Sequence, residues 1–386
     1  MITITTTDAL AAFCERARSA PYITVDTEFL RERTYYAKLC LVQLAIPGDG
    51  EDAAVLVDPL AEGLSLAPLY ALFTDPGIVK VFHAARQDLE IFFTEGGVLP
   101  EPLIDTQVAA MVCGFGEQVG YETLVKKIAR QGIDKSSRFT DWSRRPLSDA
   151  QKAYALADVT HLRVVYEHLA AELERTRRTP WVEEELSVLT DPATYRTEPS
   201  EAWRRIKTRT ASGRFMAIVR ELAAFREAYA QERNVPRSRV YKDDALIELA
   251  STKPASEADL SRSRLLLREA RRGDIADGIL AAVRRGVECD PADFPRPDRS
   301  RDNLQINPAM ADLLRVLLKA KAEQAGVAQK LIATIGDLEQ IAAGEREVPA
   351  LSGWRARIFG DDAIKLVEGK VGLAARGTEV VVFDIA

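Results

Sequence analysis

The pattern of the chain changes character once, near residue 190, and that change limits what it can fold into. Ahead of it, β-branched apolar runs alternate with helical stretches; behind it the periodicity is helical throughout. Tyr22–Phe29, Tyr35–Ile46 and Ala53–Asp58 read as three strands, spaced as a meander rather than as βαβ crossovers. Ile78–His83 reads as a fourth and leads straight into a helix over Arg86–Thr94. Asp105 stands where the N-cap of another helix belongs, and helical periodicity is sustained from Ser148 to about Arg178. Two stretches dense in proline and charge then divide the rest. The division expected is a mixed α/β domain over 1–190, a linker over 191–205, a helical module over 206–288, a second linker over 289–303 and a second helical module over 304–386.

Composition closes off several classes. Hydrophobic residues at 47% and charged residues at 28% describe an ordinary globular chain, which excludes wholesale disorder. No apolar run approaches the ~18–20 residues a membrane span needs. The opening MITITTTDALAAF has no basic stretch before an apolar core, so no secretory leader is expected. The four cysteines, Cys14, Cys40, Cys113 and Cys289, form no C-x-x-C pair for zinc or redox work. A soluble, cytoplasmic protein is the expectation. Net charge is -6 but unevenly spread. Residues 1–170 carry 16 basic against 23 acidic side chains, and residues 201–290 carry 19 against 14. An acidic first part suits a site that gathers cations, and a basic middle suits a surface that meets phosphate. An excess of five over ninety residues also fits ordinary variation.

Four acids and a tyrosine carry the chemistry. Asp26 and Glu28 are two apart in a strand and therefore share a face. Burying that pair uncompensated would cost several kcal/mol, and a hard divalent cation between them removes the problem. Alone, the triplet is a weak signal and fits a solvent-facing strand end better. Asp88 falls in the first turn of the helix after the fourth strand, where an anion also simply complements the helix dipole. Tyr154 and Asp158, four apart on the long helix, share a face.

In this order and spacing, the five residues resemble the exonuclease motifs of the tyrosine-bearing branch of the DEDD superfamily. The runs Asp26–Ala45, His83–Phe92, Lys135–Leu147 and Tyr154–Leu162 resemble the ribonuclease D family more closely still. Residues from about 206 to 286 resemble an HRDC domain, and 304–386 a second, more divergent one. The resemblance implies a ribonuclease H-like exonuclease domain, a mixed sheet flanked by helices, followed by two all-α HRDC-type domains. It implies a 3′→5′ exoribonuclease that uses two divalent ions, Mg²⁺ or Mn²⁺, and releases nucleoside 5′-monophosphates. Asp26, Glu28, Asp88 and Asp158 would ligate the metals, and Tyr154 would orient the attacking water. Glu28 would also touch the terminal 3′-hydroxyl. The implied partner is RNA, tRNA precursors with 3′ extensions above all, with no membrane and no protein partner required.

Other residues have plainer readings. Asp105 reads as a helix cap rather than a metal ligand, and His83 as a satisfied structural histidine. Gln43, Trp142 and Arg145 are read as shaping the substrate groove. Arg204, Arg205, Lys207 and Arg209, with Arg262, Arg264, Arg268, Arg271 and Arg272, form a set suited to phosphate. Aromatic residues are only 7%, which favours recognition of RNA by shape and backbone. Two rivals stand beside this reading: a 3′→5′ DNA exonuclease using the same motifs, and a non-catalytic RNA-binding scaffold.

Overall fold

The computed structural model describes residues 1–134, 136–209, 212–296 and 305–385. Lys135, which opens the run Lys135–Leu147, residues 297–303 of the second linker, and the two ends of the last module, 304 and 386, lie outside the described residues.

The first 190 residues run β1 (Ile2–Ile4), α1 (Thr7–Ala17), β2 (Tyr22–Leu30), β3 (Lys38–Ala45), β4 (Ala54–Val57), α2 (Ala67–Phe73) and β5 (Val79–Phe82). They continue with α3 (Arg86–Gly96), β6 (Leu103–Asp105), α4 (Thr106–Val112), α5 (Tyr121–Leu124), α6 (Asp149–Thr176) and α7 (Thr179–Thr190). Six strands form one mixed sheet in the order β1-β4-β3-β2-β5-β6. β3 pairs antiparallel with β4, while β2–β5, β5–β6 and β1–β4 are parallel. β3 is buried from Leu39 to Ala45, as a central strand covered on both faces must be. β2 is buried from Tyr22 to Val25 and, apart from the buried Thr27, opens partly toward solvent from Asp26 onward. Helix α6 starts as its sequence dictates: Ser148 and Gln151 form a reciprocal capping box.

The meander of three strands is present. The second starts at Lys38 rather than Tyr35, because the backbone N–H groups of Tyr35 and Tyr36 donate to the Asn234 side chain (3.1 and 3.0 Å) instead of to a neighbouring strand. β1, α1, α2 and β6 are additions to the sequence reading; two are three-residue strands, too short to show a period.

By contact density the chain gathers into two units. One comprises Met1–Glu28, Cys40–Asp191 and Ser300–Ala386; the other comprises Phe29–Leu39 with Pro192–Arg299. The second unit contains α8 (Gly213–Glu232), α9 (Arg237–Val240), α10 (Asp243–Thr252), α11 (Glu257–Leu260) and α12 (Gly273–Glu288). Its core is built on Trp203, Ile218, Leu222, Tyr241, Leu246 and Ile279, so part of the stretch read as the first linker is core. Glu227 of α8 is 1% exposed and holds Arg237 through both carboxylate oxygens (2.5 and 2.6 Å). The hydroxyl of Tyr35 donates to the same carboxylate, and the Arg237 guanidinium lies 4.6 Å from the Tyr35 ring centre. The turn between β2 and β3 is thereby fastened to this helical body.

The C-terminal helices are α13 (Pro308–Ala325), α14 (Gln329–Ile332), α15 (Ile335–Ala342), α16 (Gly353–Arg355) and α17 (Asp361–Val367). They are followed by an antiparallel hairpin of β7 (Val371–Arg376) and β8 (Glu379–Asp384). An all-α reading of this module is therefore incomplete: GLAARGTEVVVFD alternates around a glycine turn, the pattern of a hairpin. Trp354 stacks on Trp181 of α7 at 4.6 Å, and Arg178 donates to Ala325 O at 2.6 Å.

Candidate active site

Along β2 the side chains alternate, so Thr24, Asp26 and Glu28 lie on one face. Thr24 anchors what covers that face: its hydroxyl donates to the Val159 carbonyl of α6 at 2.9 Å. The Tyr121 hydroxyl holds the next carbonyl back along the helix, Asp158 O, at 2.5 Å. α6 is therefore pinned with Tyr154 and Asp158 against the acidic end of β2. From the other side, α3 presents Asp88, which is 7% exposed and accepts a hydrogen bond from Thr27. Asp26, Tyr154 and Asp158 line one cavity of about 410 Å³ with His83, Tyr121 and Arg138.

Burial and neighbouring carboxylates act on these acids together. Asp26 is held well above the usual carboxylate range, first by burial and then by Asp158. Asp88 is raised likewise, by burial and by Asp26. Glu28 is pushed to about 9 by burial, then by Asp26, Asp158 and Asp88. Asp158 reaches only about 7: burial raises it, while the Tyr154 hydroxyl and Arg138 pull back. Arg138 acts on both Glu28 and Asp158, lowering each. Four mutually repelling carboxylates with so little compensation form a donor set that suits a divalent cation. Among the described residues no three Asp, Glu, His or Cys side chains are drawn together as a ready-made ligand cluster. Asp88 is engaged with Thr27, and Asp158 with Tyr154.

Asp105 caps α4, accepting from Gln107 N at 2.8 Å, and it does more. Its two oxygens also accept from Ala84 N and Ala85 N, both at 2.9 Å, fixing a turn in which Ala84 takes φ 57°. That turn launches α3 and so places Asp88. Asp105→Ala leaves three main-chain donors without their acceptor in a site 3% exposed. It should cost about 3 kcal/mol in urea unfolding, and a loss under about 1 kcal/mol would contradict the assignment. His83 donates from Nδ1 to Thr106 Oγ1 (3.0 Å), because that hydroxyl spends its own proton on Phe82 O (3.0 Å). Burial holds its imidazole below the usual range, as a structural histidine.

The groove residues need correction. Arg145 grips both oxygens of Asp58 (2.6 and 2.7 Å), Cys40 O and Trp142 O, and is a clasp between a loop and the sheet. Trp142 is buried as a packing anchor, and Gln43 is wholly buried within β3. The arginine set also thins. Arg271 is spent on the carbonyls of Ser261, Ser263 and Leu266, while Arg204 and Arg262 pair with Glu201 and Asp259. Sequence reading passed over Thr24, Thr27, Tyr121 and Arg138. The two threonines were visible as the polar members of an apolar strand; Tyr121 and Arg138 carried no local signal.

A family model described as a 3′-5′ exonuclease matches residues 1–174, and one described as an HRDC domain matches residues 215–283. A ribonuclease D from Jannaschia sp. (strain CCS1) is 64% identical over 383 residues, 99% of each chain. One from Acidiphilium cryptum is 49% identical over 385 residues, covering 100% of this chain and 97% of the relative. The crystal structure of Escherichia coli RNase D, described as an exoribonuclease involved in structured RNA processing, is similar with a TM-score of 0.83 at 30% identity. That match covers 95% of this chain and 98% of the other.

Proposed function

Since this chain belongs to the ribonuclease D family of 3′→5′ exoribonucleases, we propose that it trims the 3′ trailers of tRNA precursors and similar small structured RNAs, one nucleotide at a time. It would act in the cytoplasm without a protein partner, releasing nucleoside 5′-monophosphates. The observation that carries the reading is that Asp26, Tyr154 and Asp158 line one cavity, with Asp88 held against β2 by Thr27 and Glu28 on the same face of β2 as Asp26. No helix among the described residues is long and apolar enough to cross a membrane.

The exonuclease family is metal-dependent. In the proposed reaction Asp26, Glu28, Asp88 and Asp158 would hold two divalent ions, Mg²⁺ or Mn²⁺. Bound there, the ions would supply a water that ionises near neutral pH and charge to balance the attacking and leaving oxygens. The residues of the chain do the rest. Tyr154, half-buried on α6, turns from Asp158 to hold the attacking water in line. Glu28, at the open end of β2, faces the terminal 3′-hydroxyl. Arg138, exposed at the rim, faces the phosphate. In the proposed division, the exonuclease domain spans 1–190, and HRDC-type domains over 206–288 and 304–386 position the RNA.

A tRNA precursor with a few extra 3′ nucleotides, labelled at its 5′ end, tests this directly. A ladder shortening by single nucleotides, lost with chelator, is the expected result. Digestion of the matching DNA alone would move the assignment to the DNA exonucleases, and binding without cutting of either would favour a scaffold. In the same assay Tyr154→Phe should retain metal binding yet slow turnover by about tenfold or more, the effect of one lost positioning hydrogen bond. A wild-type rate would mean the ring only packs.

A further inference from the structure

The loop that supplies Arg138 to the active-site cavity presents its next residue, Phe139, almost wholly to water: it is 91% exposed, the most of any large apolar residue among the described residues. Its neighbours make this a built position rather than a loose end. Ser137, two residues before, is 5% exposed, and Trp142, three residues after, is 2% exposed. Between them Thr140 closes a turn onto Ser137 O through both its amide (3.2 Å) and its hydroxyl (2.8 Å), and Gln151 of α6 holds that hydroxyl at 3.0 Å. The turn is thus fixed at both ends and from the helix that carries Tyr154. The Arg138 guanidinium, 5.3 Å from the Phe139 ring centre, leaves the rest of the ring uncovered while it lines the cavity with Asp26, Tyr154 and Asp158. A flat apolar face fixed beside a cation at the rim of a phosphodiester-cleaving site has the chemistry that receives an unpaired base on the ring and its phosphate on the guanidinium.

We propose that Phe139 and Arg138 form a stacking subsite for one unpaired nucleotide of the RNA strand upstream of the terminal bond, selecting for a single-stranded 3′ end and indifferent to which base it carries. This rests on the RNA-trimming reading given above. Phe139 is a positioning residue here: it meets the substrate away from the reacting atoms, so its contribution belongs to binding.

The experiment is steady-state trimming of a 3′-extended RNA by wild type, Phe139→Ala, Phe139→Leu and Phe139→Trp. A set of RNAs carries one abasic nucleotide walked through the last six positions. Loss of the ring should raise KM by about tenfold, within the 5- to 150-fold that one base–aromatic stack is worth, with kcat within twofold. Leucine should fail to restore KM and tryptophan should restore it, which a purely structural role would not require. In wild type, one abasic position should raise KM by the same factor, and on that RNA Phe139→Ala should cost nothing more. An unchanged KM in the alanine variant, or an equal loss with the abasic site at every position, overturns the subsite. Wild-type protein that leaves the RNA uncut strikes the underlying reading, whereas cut RNA with an indifferent alanine variant strikes this inference alone.

Discussion

Asp26→Asn is expected to move activity and stability in opposite directions. Trimming should fall by on the order of 10³-fold or more, because losing one charged ligand from a shared metal site removes at least about 4 kcal/mol of transition-state stabilisation. RNA binding should be retained, since Asp26 faces the cavity and contributes no phosphate contact. The metal-free protein should become more stable. Asp26 is held well above the usual carboxylate range by burial and by Asp158, so its ionised form is a liability of the folded state. For an acid raised on folding, the penalty appears as pH climbs past the unfolded value near 4 and is complete only above the folded pKa. The amide carries no such penalty, so the variant's advantage in chelator should be absent near pH 4 and present at pH 8. Saturating Mg²⁺ or Mn²⁺ should reverse the order, because only the wild type gains ligand stabilisation. Melting curves at both pH values, with chelator and with metal, read all of this. A variant that trims normally, or that melts below wild type in chelator at pH 8, would remove Asp26 from the metal set. Asp158→Ala should lose activity in the same way.

Arg237→Ala should strongly destabilise the helical unit, costing about 3 kcal/mol or more. It leaves Glu227, 1% exposed, without its bidentate partner. Burial pushes the Glu227 carboxyl up, yet hydrogen bonds from Arg237 and Tyr35 outweigh it and hold the group below its usual range. The wild-type contribution is therefore complete above about pH 4.5 and is lost as pH falls through the folded value. In the variant the balance tips toward burial, so the ionised carboxylate becomes costly at neutral pH and tolerable once protonated. The gap in urea midpoints between the two proteins should consequently narrow from pH 7 to pH 4. A gap that is constant or widens on acidification would show that Arg237 acts through packing alone.

The fold class was legible from the change of pattern along the chain, and the pairing of the candidate residues from local geometry. Asp26 and Glu28 declare themselves by a two-residue repeat, and Tyr154 and Asp158 by a four-residue repeat, so local geometry alone puts each pair on one face. Asp88 needed the helix to be placed first. What local periodicity cannot carry is partnership across distance. Nothing near Tyr35 indicates that its amide will bond to Asn234, so the strand was read three residues too long. Nothing near Arg145 indicates Asp58 or Cys40, so a clasp was read as a groove residue. The arginines misled for the converse reason. A guanidinium suits phosphate and main-chain carbonyls alike, and Arg271 takes the carbonyls. The C-terminal hairpin was within reach of the sequence, through its alternation about Gly377.

The turn between β2 and β3 also sets a schedule for synthesis. Arg237, which grips Glu227 and Tyr35, follows Tyr35 by 202 residues. At ~5–20 residues per second, the ribosome takes roughly 10–40 s to supply it. Throughout that interval Phe29–Leu39 lacks the helices that fasten it, and the strand bearing Asp26 and Glu28 runs directly into that unfastened turn. A message truncated between residues 158 and 237 would release a nascent chain with all five acidic and tyrosine positions in place and this turn still unfastened. The helical body thus acts as a late-arriving fastener, and completion of the turn beside Glu28 reports that translation has passed the middle of the chain.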